Sequence, residues 1–278
     1  MTDPVILTFD IEKPCHMSIG GAGMSISEKD FEEGLSGLLK MLKSNSAKAT
    51  FFIVAELVER HLNIFRQIAE EGHEIGLHSF YHKLIYKMTP EEFEKDTREG
   101  KKILEYSLNA KIFGYRAPSW SVHQERTPWF WEILKKNGFE YSSSISPFET
   151  HVYGDKKASR FPHFVETKFG RILEVPLPTC QFIVNVPFSG GAYFRTMPDF
   201  VRSFFESSWQ KSGFPIFYYF HARDLGFEKK PRNMDFLPGL INYAGNSMAK
   251  KKFLRIAFKA RCVGMHEVIS RLINSLEK

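Results

Sequence analysis

Short apolar runs alternate with amphipathic helical stretches along most of this chain, and that alternation restricts the possible folds more than any other feature. Val5-Ile6-Leu7-Thr8-Phe9 is apolar but for one threonine, as a strand covered on both faces requires. Ser27 then caps a predicted helix that runs to about Lys43, with Leu35, Leu38, Leu39 and Leu42 on one face. Ala49-Thr50-Phe51-Phe52-Ile53-Val54 is a second strand, and a helix over about 56–71 stops at Gly72. His73-Glu74-Ile75-Gly76-Leu77 is a third strand, and Thr89 with Pro90 opens the next helix. Residues 112–115 form a fourth strand, and a helix over about 127–137 ends at Gly138. From about 141 to 191 the pattern is irregular, with several prolines and short β-like runs. A helix near 198–211, a strand at 215–220, a loop rich in charge and proline and a last βα pair near 258–276 follow. Strands that alternate with helices in this way predict an α/β fold of parallel βαβ units. No shift in composition marks a linker and no repeat is present, so one domain over residues 1–278 is expected.

A chain of 278 residues can bury a core without disulfide staples. Its 43% hydrophobic and 25% charged residues exclude general disorder. The longest apolar run, 214–220, is far short of the ~20 residues of a membrane-spanning helix. Met1-Thr2-Asp3-Pro4-Val5 shows no basic segment followed by an apolar one, so no signal peptide and a cytoplasmic location are expected. Three cysteines, Cys15, Cys180 and Cys262, are odd in number and far apart, which argues against a disulfide framework or a Cys-based zinc site. The net charge of +6 gathers late, in Lys250-Lys251-Lys252, Arg255, Lys259 and Arg261. A solvated helix face is the favoured account of that run. The competing one is peripheral contact with anionic membrane; no nucleic-acid partner is expected.

In alternating α/β folds, functional residues gather just past the C-terminal ends of the strands. Four such ends carry polar clusters here: Asp10-Ile11-Glu12, His78-Ser79-Phe80-Tyr81-His82, Arg116-Ala117-Pro118-Ser119 and His221-Ala222-Arg223-Asp224. His78 and His82, four apart, with a carboxylate from Asp10 or Glu12, make a three-ligand set suited to a catalytic divalent ion. Asp10 and Glu12 share a face of their strand, so one can bind the metal while the other serves as general base. Arg116 precedes Ala117-Pro118 and is placed to hold a carboxylate, or to form an ordinary buried ion pair. His221 ends a very apolar strand; a core histidine is the bland account, a general acid the functional one. His73 precedes its strand and reads as structural; His16, in the loop after Glu12, is within reach of the site but is left out of the candidate set, since loop histidines are common.

Together these clusters resemble the NodB-type polysaccharide deacetylases, whose motifs take the forms T-F-D-D-G, H-x-x-x-H and R-x-P, with a late strand ending in histidine. Here they read Thr8-Phe9-Asp10-Ile11-Glu12, His78 through His82, Arg116-Ala117-Pro118-Ser119 and His221. The resemblance is closest to a branch with a D-x-D or D-x-E first motif that acts on exopolysaccharide or cell-envelope sugars. Leu173-Glu174-Val175-Pro176 and Gly190-Gly191-Ala192-Tyr193-Phe194-Arg195 support that branch. The resemblance implies a distorted (β/α) barrel with one divalent metal at its mouth. It implies removal of an N-acetyl group from an amino sugar in a polysaccharide, glycolipid or sugar precursor. It assigns Asp10 as base, Glu12, His78 and His82 as metal ligands, Arg116 as the residue that orients the base, and His221 as general acid. Zinc suits such a set best, with cobalt, nickel and iron also compatible. Trp120 and Tyr193 are candidates to stack on a pyranose ring, with packing as the competing account.

Three departures stand out. Ile11 occupies the position of a common metal aspartate, so Glu12 must supply that ligand. Ala222-Arg223-Asp224 replaces the branch's Pro-Trp-Glu, and Tyr141-Ser142-Ser143-Ser144 lacks a preceding aspartate. His221 is thus left without an obvious carboxylate partner. An amidase or deformylase of the same fold, or a non-catalytic glycan-binding barrel, are the alternatives.

Overall fold

The structure, a computed structural model, describes residues 4–150 and 153–276; Met1, Thr2 and Asp3, on which the leader reading partly rests, lie outside it. The strands are β1 (Val5–Ile11), β2 (Thr50–Ile53), β3 (Glu74–Leu77), β4 (Gly114–Tyr115), β5 (Tyr141–Ser142), β6 (His163–Val165), β7 (Ile172–Glu174), β8 (Thr179–Gln181), β9 (Asn185–Pro187), β10 (Phe217–Phe220) and β11 (Cys262–Val263). The helices are α1 (Glu28–Ser44), α2 (Leu62–Glu70), α3 (Pro90–Leu108), α4 (Phe130–Lys136), α5 (Gly191–Thr196), α6 (Asp199–Gln210), α7 (Phe236–Tyr243), α8 (Asn246–Lys259) and α9 (Met265–Leu276).

One sheet runs β10-β1-β2-β3-β4-β5-β7-β6, with β11 beside the start of β1. Every pairing in it is parallel except β6 on β7. The β8–β9 hairpin stands apart, and the chain leaving it bridges from Gly190 to Tyr219 of β10. The sheet therefore curls into the expected distorted (β/α) barrel without being closed by strand pairing, β6 and β10 being its edges.

Strand alternation decides what faces the interior. Leu7, Phe9 and Ile11 of β1 point outward and pack with Phe31, Leu35, Leu38, Leu39 and Leu42 of α1. Ile6 points inward, among Phe52, Trp120, Tyr141, Leu173 and Phe217. Thr8 and Asp10 share its face by the period of two, and Thr8 Oγ1 donates to the Tyr218 carbonyl of the adjacent strand β10 at 3.0 Å.

The expected helix over 56–71 is a short 3-10 turn, Ala55–Leu57, followed by α2. The expected loop after residue 221 is largely α7 and α8. Its lysines masked a helical stripe, since Ala249, Phe253 and Ala257 recur four apart and are all buried. The basic run is also not a uniform solvated face. Lys252 is buried, and its Nζ donates to the carbonyls of Phe194 (3.0 Å), Arg195 (3.3 Å) and Met197 (2.6 Å) at the end of α5. Lys250 Nζ lies 4.3 Å from the Phe227 ring centroid, and Arg255 is bonded to Asp199. The three cysteines are unbridged, and no helix among the described residues is long and apolar enough to cross a membrane.

His73 is structural in its contacts: its Nδ1 accepts from the buried Ala49 N–H at 3.2 Å. Protonation would set two donors against each other, and burial, with Lys48 nearby, lowers its pKa from 6.5 to about 4. Between those values the unfolded chain binds a proton that the folded chain refuses, so stability is full above 6.5 and falls as pH drops toward 4. We predict a loss of up to about 3 kcal/mol from this residue over that window. The check is urea unfolding of wild type and His73→Asn at pH 7 and pH 5, the variant showing the shallower decline.

Candidate metal centre and active site

Asp10 and Glu12 leave the C-terminal end of β1 pointing into the barrel mouth, both buried. The loop after β3 brings the histidines to them. Ser79 and His82 adopt left-handed backbone, φ +66° and +57°, a conformation that costs a non-glycine residue free energy and clusters at functional sites. Asp96, reaching in from α3, braces this loop by accepting from Phe80 N (3.0 Å) and Ser79 Oγ (3.1 Å). Burial nevertheless pushes the Asp96 carboxyl up to about 6, against those hydrogen bonds.

Ligand atoms of Glu12, His78 and His82 all lie within 4.8 Å of one another. His78 Nδ1 is 2.8 Å from the Arg116 carbonyl, which fixes the proton there and leaves Nε2 as the free donor atom. Burial lowers the His78 pKa to about 4, so it stays neutral, as a ligand must. His82 Nε2 sits 2.6 Å from Glu12 Oε2, yet this buried nitrogen has no aligned hydrogen-bond partner. An orphaned imidazole nitrogen, a neutral imidazole and a carboxylate oxygen converging on one point fit a divalent ion. For Glu12, burial favours the protonated form, but His82, Arg223 and His221 outweigh it and hold the carboxyl well below the usual range.

Arg116 is fully buried and joins the second carboxylate to the barrel interior. Its Nη1 donates to Asp10 Oδ1 (2.8 Å) and Thr8 Oγ1 (2.7 Å), and its Nη2 donates to Ser143 Oγ (3.1 Å). The guanidinium also lies 4.2 Å from the Phe52 ring centroid and 5.0 Å from that of Trp120. Two successive left-handed residues, Ser119 and Trp120 (φ +50° and +52°), turn the indole inward. Trp120 is thus mostly a packing residue, edge-on to Tyr219 at 5.3 Å, although it also contributes to the cavity wall. Tyr193 is half-buried on that wall, 6.0 Å from the Phe148 ring.

His221 does have a carboxylate partner, contrary to the expectation from sequence. A 3-10 turn, Ala222–Leu225, folds Asp224 back so that its Oδ2 accepts from His221 N at 2.7 Å and lies 3.2 Å from His221 Nδ1. The carboxylate comes from the i, i+3 position of a capping turn and not from an aspartate upstream. Arg195 Nη1 donates to Asp224 Oδ1 at 2.7 Å. Burial would raise the Asp224 pKa, but His221, Arg195 and Arg223 bring it down to about 2. Arg223, noted only as a departure from the branch pattern, donates to Glu12 Oε1 at 2.6 Å. His16 does approach the site: its ring stacks on His82 at 5.4 Å, and its Nε2 is 2.8 Å from Glu56 Oε1. A cavity of about 170 Å³ opens over these groups, lined by Asp10, Glu12, His78, Trp120, Tyr193 and His221 among others.

The fold and this cluster define a distorted (β/α) barrel with a two-histidine, one-carboxylate centre and a buried Asp–Arg pair at its mouth. The family profile described as "Polysaccharide deacetylase" matches residues 2–142, and one described as "Domain of unknown function (DUF3473)" matches residues 143–270. The chain belongs to the polysaccharide deacetylase family. Among curated proteins it is similar to a peptidoglycan-N-acetylglucosamine deacetylase of Bacillus cereus, with 31% identity over 33% of this chain and 52% of that one. It is also similar to a peptidoglycan deacetylase of Helicobacter pylori, with 28% identity over 41% of this chain and 38% of that one. It therefore spans about half or less of the length of these relatives. Among solved structures, one from Mycobacterium smegmatis assigned to the polysaccharide deacetylases matches 100% of this chain and 93% of its own, with TM-score 0.64 and 19% identity. The Puue allantoinase matches 94% of this chain and 86% of its own, with TM-score 0.60 and 15% identity. At these identities the structural matches speak to the fold.

Removing one partner of a buried ion pair leaves the other charge uncompensated. Asp224→Ala strands Arg195 in this way and is expected to lose about 3 kcal/mol of unfolding free energy. Urea titration measures it, and the isosteric Asp224→Asn, which keeps hydrogen-bond acceptor capacity, should lose less.

Proposed function

We propose that this chain is a metal-dependent hydrolase that removes the N-acetyl group from an amino sugar of a cell-envelope polysaccharide, glycolipid or sugar precursor. The observation that carries the reading is one cavity lined by Asp10, by Glu12 and His78 of the three-ligand cluster, and by His221. Membership of the deacetylase family and the names of the relatives support it. Glu12 through Oε2, His78 through Nε2 and His82 through Nε2 would hold the ion, with zinc the best match to two nitrogens and one oxygen. When bound, the ion supplies Lewis acidity toward the amide oxygen and the attacking water.

The chain's own residues do the rest. Asp10, held by Arg116, takes the proton from the water. His221 delivers a proton from Nε2 to the departing amine, while Asp224 fixes the opposite ring nitrogen in its donor form. Acetate and an amino sugar leave. Trp120 and Tyr193 bound the space for the pyranose ring. Both profile-matched segments act as one catalytic unit in this reading, because β5 of the first pairs with β7 of the second and His221 comes from the second.

The test combines elemental analysis with acetate release from nucleotide-linked, lipid-linked and oligomeric N-acetylhexosamines. Wild type should carry about one transition-metal ion per chain, lost in His78→Ala. Asp10→Asn should keep the ion but lose on the order of 10²-fold or more in turnover. A chain that takes up no ion after addition of zinc or cobalt would point instead to a metal-free amidase.

A further inference from the structure

We propose that α7 and the basic loop before it form a docking surface for an anionic lipid bilayer beside the mouth of the site. The helix, Phe-Leu-Pro-Gly-Leu-Ile-Asn-Tyr, contains no charged residue. Phe236, Leu237 and Leu240 stand in solvent at 82%, 62% and 51% exposure. Large apolar groups gathered in this way on a surface mark a place where something covers them. They form a ridge on a helix rather than a groove, which suits insertion between lipid headgroups.

Charge selects the kind of surface. Lys229, Lys230 and Arg232 are all exposed directly before the helix, and Asp235 is the single acid between residues 229 and 248. Lys229 also reaches Asp30 on α1. An uncharged Phe/Leu helix bordered by cations has the composition of an interfacial helix that prefers anionic lipid.

Position ties the surface to the site. Ile241 and Asn242, at the end of the same helix, line the cavity. Asn242 Nδ2 donates to the Ile19 carbonyl at 3.1 Å, which joins Ile19, itself 37% exposed, to the same rim. Gly20, at φ +70°, packs so closely on Pro238 of α7 that a Cβ would collide with it. The carbonyls of Ile241 and Asn242 both accept from Arg195, which holds Asp224, the partner of His221. A bilayer seated on α7 therefore lies against the cavity mouth and is connected through two buried side chains to His221. The substrate class that follows, an N-acetylated sugar on a lipid carrier, rests on the deacetylase reading; the docking does not.

The experiment is co-sedimentation with sucrose-loaded vesicles of phosphatidylcholine, alone or with about 30% phosphatidylglycerol. Wild type should pellet with the anionic vesicles at low salt and progressively less as salt is raised. Phe236→Ser/Leu240→Ser and Lys230→Glu/Arg232→Glu should each lower the partition coefficient about tenfold or more, with melting temperature and metal uptake unchanged. Phe258→Ser, which removes an 88% exposed ring on α8, should bind as wild type. No pelleting of wild type with anionic vesicles at low salt, wild-type binding by both double variants, or an equal loss in Phe258→Ser would overturn the proposal. Vesicle binding without turnover of any N-acetylated sugar would sink the deacetylase reading and leave the docking standing. Loss of turnover on vesicle-borne substrate alone in Phe236→Ser/Leu240→Ser, with soluble substrate still processed, would support the lipid-carrier class.

Discussion

The molecule depends most on a guanidinium buried at the centre of the barrel. Arg116 has no access to water, so its charge must be compensated where it lies. Asp10 supplies the countercharge, Thr8 and Ser143 accept further hydrogen bonds, and Phe52, Trp120 and Phe217 cover the faces. These groups come from β1, β2, β10, the loop after β5 and the turn after β4, so one side chain ties most of the sheet together. The same contact aims the carboxylate to which we assign the general-base role. One ion pair thus serves both the barrel interior and the carboxylate proposed as base, so a change that loosens one loosens the other.

That arrangement is repeated around the mouth. Glu12 is matched by Arg223 and Asp224 by Arg195, as Asp10 is by Arg116. Each of these three carboxylates has its own arginine, 29 to 211 positions away in the chain. The Glu12 and Asp224 carboxyls are held below the usual range despite burial, Glu12 by His82 with Arg223 and Asp224 by His221 with Arg195. Preorganisation of this kind places negative charge without relying on solvent.

Much of this was legible in the sequence because the strand ends carry it. A period of two put Asp10 and Glu12 on one face, and the H-x-x-x-H and R-A-P runs announced themselves by spacing. What escaped detection was compensation across long sequence distances. Arg223 meets Glu12 211 positions away, and no local pattern signals such a pairing. Arg195 was quoted as part of a motif, but nothing nearby showed that it would hold Asp224. Asp224 was missed for the opposite reason: its partner lies only three residues away, in a turn that the apolar strand before it obscured. The helix α8 was hidden by its lysines, because a buried lysine such as Lys252 reads as surface until its carbonyl partners are seen.

The pairing of β1 has a further consequence for how the chain is made. This strand is synthesised well before the segments that cover its other edge, β10 at residues 217–220 and β11 at residues 262–263. Until β10 leaves the ribosome, a strongly apolar strand has an unpaired edge, and Glu12 has no Arg223. Contacts of such sequence separation are slow to form and leave intermediates prone to aggregate. The barrel is thus a fold that a nascent chain completes late, and a truncated product ending before β10 would carry most of the core and most of the motifs without ever becoming the protein.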